Sequence, residues 1–150
     1  MITDALLQLS NAQAVTSSAV STNTIDLSLA RDLGSGEDLY FVWTVDTTAT
    51  AAGAATVNFQ IISSAAANLG TPTVLSQTDA IGKAELTAGR KSIALCLDRA
   101  VLNAQPVGQR YLGCQYTVGT GPLTAGAFTC NVTHDPQDAQ KYYASGFSVT

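Results

Sequence analysis

Three stretches of the chain alternate apolar and polar side chains with a period of two. In "ATVNFQI" (55–61), Val57, Phe59 and Ile61 point one way while Thr56, Asn58 and Gln60 point the other. "KSIALCL" (91–97) does the same through Ile93, Leu95 and Leu97, and "AFTCNVTH" (127–134) through Phe128, Cys130 and Val132. This is the signature of strands with one wet face, and it favours an antiparallel sheet over a parallel one covered on both sides. The expected core therefore includes Val57, Phe59, Ile61, Ile93, Leu95, Leu97, Phe128 and Val132.

"RYLGCQYTVG" (110–119) has a mixed pattern, and "LYFVWTVD" (39–46) is apolar on both faces, as expected where another segment or a second subunit covers the outer side. Between the strands lie "DLGSGED", "TAAGA", "NLGTPT", "TAGR" and "GTGPLTAG", all turn chemistry. Helical signals are confined to residues 2–9, around Ile2, Ala5, Leu6 and Leu9, and to one turn over 63–69. Neither covers a sheet. Seven or eight short strands of this kind predict an all-β fold, a two-sheet antiparallel β-sandwich whose sheets cover one another. A jelly roll is preferred because several links are too long for hairpins, although alternation alone does not separate it from an immunoglobulin-like sandwich.

Composition bounds the rest. A chain of 150 residues, 46% hydrophobic, suits one domain over 1–150, burying roughly 70% of its unfolded surface. Residues 1–15 are read as an N-terminal arm and 141–150 as a terminal strand or tail. Only 12% of residues are charged and the net charge is -4, with the basic residues scattered, so counterion release offers little affinity for nucleic acid. No apolar run approaches the roughly 20 residues that span a membrane, and the start has no positively charged leader. Neither a membrane nor a nucleic acid is an expected partner.

Enzymatic readings find little support. His134 is the single histidine, in "THDPQD" with Asp135 and Asp138. A metal generally takes three or four ligands, so a loop histidine in a solvated turn is the expectation. Cys96, Cys114 and Cys130 are odd in number and lie among apolar residues, and are read as buried, reduced thiols. No cofactor is expected. "NVT" (131–133) matches a glycosylation acceptor but reads as the polar face of a strand. Asp26, Asp32, Glu37 and Asp38 invite a glycosidase reading, yet Arg31 stands close enough to neutralise any of them. A structural or docking loop made of Arg31, Asp32, Glu37 and Asp38 is the preferred reading, without catalysis.

The large groups Trp43, Tyr111, Tyr116, Tyr142, Tyr143 and Phe147 then stand out in a chain rich in small residues. Low charge lowers the cost of desolvating a wide contact, and aromatics suit interface cores. Trp43, Tyr142, Tyr143 and Phe147 are the candidate interface residues.

One stretch is more specific. Ser21, Thr22, Asn23, Thr24, Ile25, Asp26 and Leu27, followed by Arg31, Asp32, Gly34, Gly36, Glu37, Leu39 and Tyr40, resembles the family of phage capsid cement proteins named after the cementing protein of a Bordetella phage. The likeness extends to "DALLQLSNAQAVT" (4–16) and "YYASGFSVT" (142–150), while 65–90 adds little. The resemblance implies a jelly-roll decoration protein on the outer surface of an icosahedral head, assembled in the host cytoplasm, self-associated and locking major capsid protein subunits together. It implies no catalytic residue. A dimer is expected ahead of a trimer, and a carbohydrate-binding sandwich module on the virion is the alternative.

Overall fold

Ten strands divide between two sheets in the residues that the computed structural model describes, 4–28, 38–134 and 136. They are β1 (Gln8–Ala14), β2 (Ala19–Val20), β3 (Ile25–Asp26), β4 (Leu39–Thr50), β5 (Thr56–Ser64), β6 (Thr73–Gln77), β7 (Ile81–Gly82), β8 (Ile93–Leu97), β9 (Tyr111–Gly119) and β10 (Ala125–Thr133). One short helix, α1 (Arg99–Asn103), and 3-10 turns at Ala5–Leu7 and Lys83–Glu85 complete the elements of the described residues. Asp98 caps α1 by accepting from the Ala100 N–H at 2.8 Å, and Asp4 caps the first turn through the Leu6 N–H at 2.9 Å.

The first sheet has the order β1-β10-β4-β8, and the second runs β2-β9-β5-β6, with β3 continuing beside β9 and β7 beside β5. Every pairing is antiparallel. β2 and β3 lie one after the other along β9, and β6 and β7 one after the other along β5, so each pair is one interrupted strand. Counted that way there are eight strands, in the orders 1-8-3-6 and 2-7-4-5. This is jelly-roll topology, and it excludes the immunoglobulin-like alternative.

The connections sort into two ends. Short links at 15–18, 51–55 and 120–124 close one end together with 83–92. The other end receives the N-terminal turn, the exit from β3, the β5–β6 link, the β8–β9 link with α1, and the chain leaving β10.

The core is aromatic. Trp43, Phe59 and Phe128 are fully buried with Phe41 and Tyr116; Phe59 sits at the centre, its ring 5.7 Å from Trp43, 5.8 Å from Tyr116 and 5.2 Å from Phe128. These tilted and edge-on contacts suit the ring quadrupoles. Tyr116 keeps a polar partner inside, sharing a 2.5 Å hydrogen bond with Ser10. Of the core residues expected from alternation, Val57, Phe59, Ile61, Ile93, Leu97, Phe128 and Val132 are buried, while Leu95 is half-buried against the core.

Three expectations need correction. Residues 8–14 are not part of an arm; they form β1, whose Leu9 and Ser10 are buried and whose ladder is kinked at Ala12, with φ 43°. Residues 63–69 make no helix, because Ser63 and Ser64 complete β5 and the chain then turns over the outer face of the second sheet. There Leu69, at φ 55°, is buried with Ile62, and a Cβ on Gly113 would come within 2.4 Å of Leu69 Cδ1. Trp43 is a core residue, not an interface group, because strand alternation turns its side chain between the sheets, as it does that of Tyr116.

Candidate functional site

The hydroxyl-rich stretch from Ser21 fills the interruption between β2 and β3. Ladder bonds are lost where a strand breaks, so side chains supply them. Ser21 Oγ accepts from the Cys114 N–H at 3.1 Å and donates to the Asn23 carbonyl at 2.8 Å. Asn23 binds across to β1 twice, donating its backbone N–H to the Leu9 carbonyl at 2.9 Å and its amide to the Gln8 carbonyl at 3.0 Å. Gln13 on β1 returns a bond to the Val20 carbonyl at 2.8 Å. The stretch therefore stitches the edge of one sheet to the edge of the other, which also protects both edges from pairing with foreign strands.

Asp26, at the end of β3, receives two hydrogen bonds of 2.7 Å from Arg110 Nε and Nη2 and one of 3.0 Å from the Ser28 N–H. Arg110 also lies over the Tyr111 ring, 5.2 Å from its centroid. The Arg110 guanidinium, followed by the Ser28 N–H, holds the Asp26 carboxyl well below the usual carboxylate range. A carboxylate so held is a poor general acid. Arg110 stands 84 positions from Asp26 and becomes its neighbour only because Asp26 pairs with Tyr111 across β3 and β9. Spacing along the chain carries no signal for it. Arg31, Asp32 and Glu37 lie outside the described residues; Asp38 is exposed at the start of β4.

Above β4 and β8 a groove of about 390 Å³ is lined by Tyr40, Val42, Lys91, Ser92, Ala94, Cys96 and Pro136. Cys96 is exposed there, contrary to the expectation that all three thiols are buried: with Ile93 and Leu97 turned inward, strand alternation turns Cys96 outward. Desolvation, then the Asp38 carboxylate, push its thiol up, the opposite of an activated nucleophile. Cys114 and Cys130 are buried and free, and burial pushes the Cys130 thiol well up. His134 is half-buried in a bend directly after β10. Among the described residues, no group of three or more His, Cys, Asp or Glu is placed to hold a metal ion.

The Bbp16 family model matches residues 9–132, from the first strand through the last. The chain belongs to the Bbp16 family. No curated protein matches it. As a Bbp16-family member it is a structural, surface-decorating capsid protein and not an enzyme. Membership places it on the virion surface, in association with a major capsid protein. The matched region contains the whole two-sheet body and the Ser21–Asp26 stitch, so family identity and jelly-roll topology describe the same stretch of chain.

Of the Bbp16-family chain's candidate interface residues, Trp43 is excluded because its side chain is 0% exposed between the sheets. Tyr142, Tyr143 and Phe147 lie outside the described residues. Tyr40 and Tyr111 are half-buried, and among the described residues the large exposed apolar side chains are aliphatic.

Proposed function

We propose that this chain is a cement. It lies across seams between major capsid protein subunits, as a dimer at a two-fold position, and is added to the head in the host cytoplasm. The observation that carries this reading is the family match over the whole sandwich, 9–132. The physical character of the body supports it. A rigid jelly roll with an aromatic core and stitched edges adds contact area without itself deforming. Its low charge keeps the desolvation cost of a broad contact small. Each copy contributes modestly, and the lattice multiplies the contribution through many simultaneous contacts.

Within this reading, Tyr142, Tyr143 and Phe147 serve the contact between copies. Arg31, Asp32, Glu37 and Asp38 serve as a docking loop that sets register on the head. The carbohydrate-binding alternative asks for exposed aromatic platforms, and the described aromatics are buried or half-buried.

The test compares particles with and without this protein, heated in parallel while DNA release is followed. Particles lacking it should assemble but release DNA at a lower temperature. Equal release temperatures, with the protein absent from purified heads, would overturn the cement reading. Light scattering on the isolated protein should give twice the monomer mass; three times that mass would replace the dimer with a trimer.

A further inference from the structure

The large exposed apolar side chains of the described residues are Leu6, Val74, Val101 and Val107, and they share one end of the sandwich. Leu6 stands on the turn before β1, Val74 near the start of β6, Val101 on α1 and Val107 on the link into β9. Strand direction fixes this placement. The start of β1 pairs with the end of β10, the end of β10 with the start of β4, and the start of β4 with the end of β8. In the second sheet the start of β9 pairs with the ends of β3 and β5, and the end of β5 with the start of β6. Val107 is 105% exposed, so packing among the described residues does not account for it, and Leu6 is 66% exposed. The opposite end has none of them.

The same end is acidic and braced. Its described charged groups are Asp4, Asp26, Asp38 and Asp98 against Arg99 and Arg110, four carboxylates to two guanidiniums. Arg110 is committed to Asp26. Caps at Asp4 and Asp98 fix the two segments that carry Leu6 and Val101, so little conformational freedom would be lost on contact.

We infer that this end is the surface that docks on the capsid, and that its occupant is an outward face of the major capsid protein offering a shallow apolar patch rimmed by lysine or arginine. The inference rests on the capsid-decorating reading and adds to it which end of the jelly roll faces the shell. Apolar contacts from the four aliphatic side chains supply the centre of the contact, and the carboxylates steer and orient it.

The test uses the full chain and heads purified from phage lacking its gene, with bound protein measured after sedimentation. Val107→Glu combined with Val101→Glu should reduce occupancy at least ten-fold, and Leu6→Glu should reduce it alone. Ala52→Glu and Ala88→Glu, at the opposite end, should bind as the unaltered chain does. Asp4→Asn with Asp98→Asn preserves both caps and should weaken binding several-fold while flattening its salt dependence. Thermal unfolding of each variant separates docking loss from folding loss. Undiminished binding of the V101E/V107E chain, or loss of binding in the Ala52 or Ala88 variant, would overturn the inference and leave the cement reading intact. So would conversion of a dimer to a monomer by V101E/V107E with head binding retained. Salt-insensitive binding, unaffected by D4N/D98N, would overturn the basic rim. Failure of the unaltered chain to bind heads would overturn the cement reading itself.

Discussion

Arg110 and Asp26 meet through two parallel hydrogen bonds of 2.7 Å across the end of the second sheet. The contact closes β3 onto β9 at the point where the chain leaves for 29–37 and where α1's link returns. Its fork-to-carboxylate geometry gives orientation as well as attraction.

The pH dependence of this pair follows from the direction of the Asp26 shift, caused first by Arg110 and then by the Ser28 N–H. Because the folded carboxyl is held below its unfolded value of about 3.9, its stabilisation is fully present above that pH and is lost as pH falls below it toward the lower folded value. R110A should therefore be less stable than the unaltered chain at neutral pH, with the difference shrinking below about pH 4. Urea unfolding of both chains between neutral and acidic pH checks this. A constant difference would assign the role of Arg110 to its packing on Tyr111.

How much of this was legible in the sequence depends on the reach of each interaction. Period-two alternation in 55–61, 91–97 and 127–134 reports which side chains face between antiparallel sheets, and it also implied the outward turn of Cys96. The dense strand 39–46 was misread at Trp43, because a strand apolar on both faces does not declare which face is the core. Val42, on the opposite side from Trp43, is also 1% exposed. The Arg110 partner of Asp26 and the Leu69 seat over Gly113 depend on pairings many residues apart, which local pattern does not encode. α1 lies in a link with no helical periodicity, and its five residues are held by a cap.

The seat of Leu69 predicts a steric cost at Gly113. An added Cβ would lie 2.4 Å from Leu69 Cδ1 and 3.0 Å from Ser21 Oγ, so the buried Leu69 side chain must turn aside, the loop over 65–72 must lift, or the stitch at Ser21 must shift. G113A should destabilise by about 1–3 kcal/mol, as overpacking of a filled site does. In the background of L69A the same change should cost less, since the blocking methyl is gone. Chemical denaturation of the four chains in this cycle measures the coupling, and strict additivity would show that the two residues do not meet.

Ser10 and Tyr116 make a sharper case, because both are buried and joined at 2.5 Å. Removing one partner leaves a buried hydroxyl without its bond, at about 1–3 kcal/mol. S10A should show that loss. S10A/Y116F, in which neither polar group remains, should recover part of it. Burial, the largest influence on Tyr116, pushes its hydroxyl far above the ordinary phenol range, so the bond should persist across the alkaline range in which the fold survives. Unfolding midpoints of the two variants at neutral pH check the order, and a double variant weaker than S10A would contradict it.

The three thiols should separate by reactivity. Cys114 and Cys130 are inside the core while Cys96 opens onto the groove above β4 and β8, so a thiol reagent should modify one equivalent in the folded state and three after denaturation. The reaction at Cys96 should be slow at neutral pH, because desolvation and then Asp38 disfavour its thiolate. Its rate should climb as pH rises past the ordinary thiol value of about 8.5, since only the thiolate attacks. D38N removes the nearby carboxylate and should speed labelling at pH 8, whereas C96A should abolish the folded-state equivalent. If C96A still labels while folded, one of the core thiols is reached through opening of the sandwich; the C114A and C130A backgrounds would then show which.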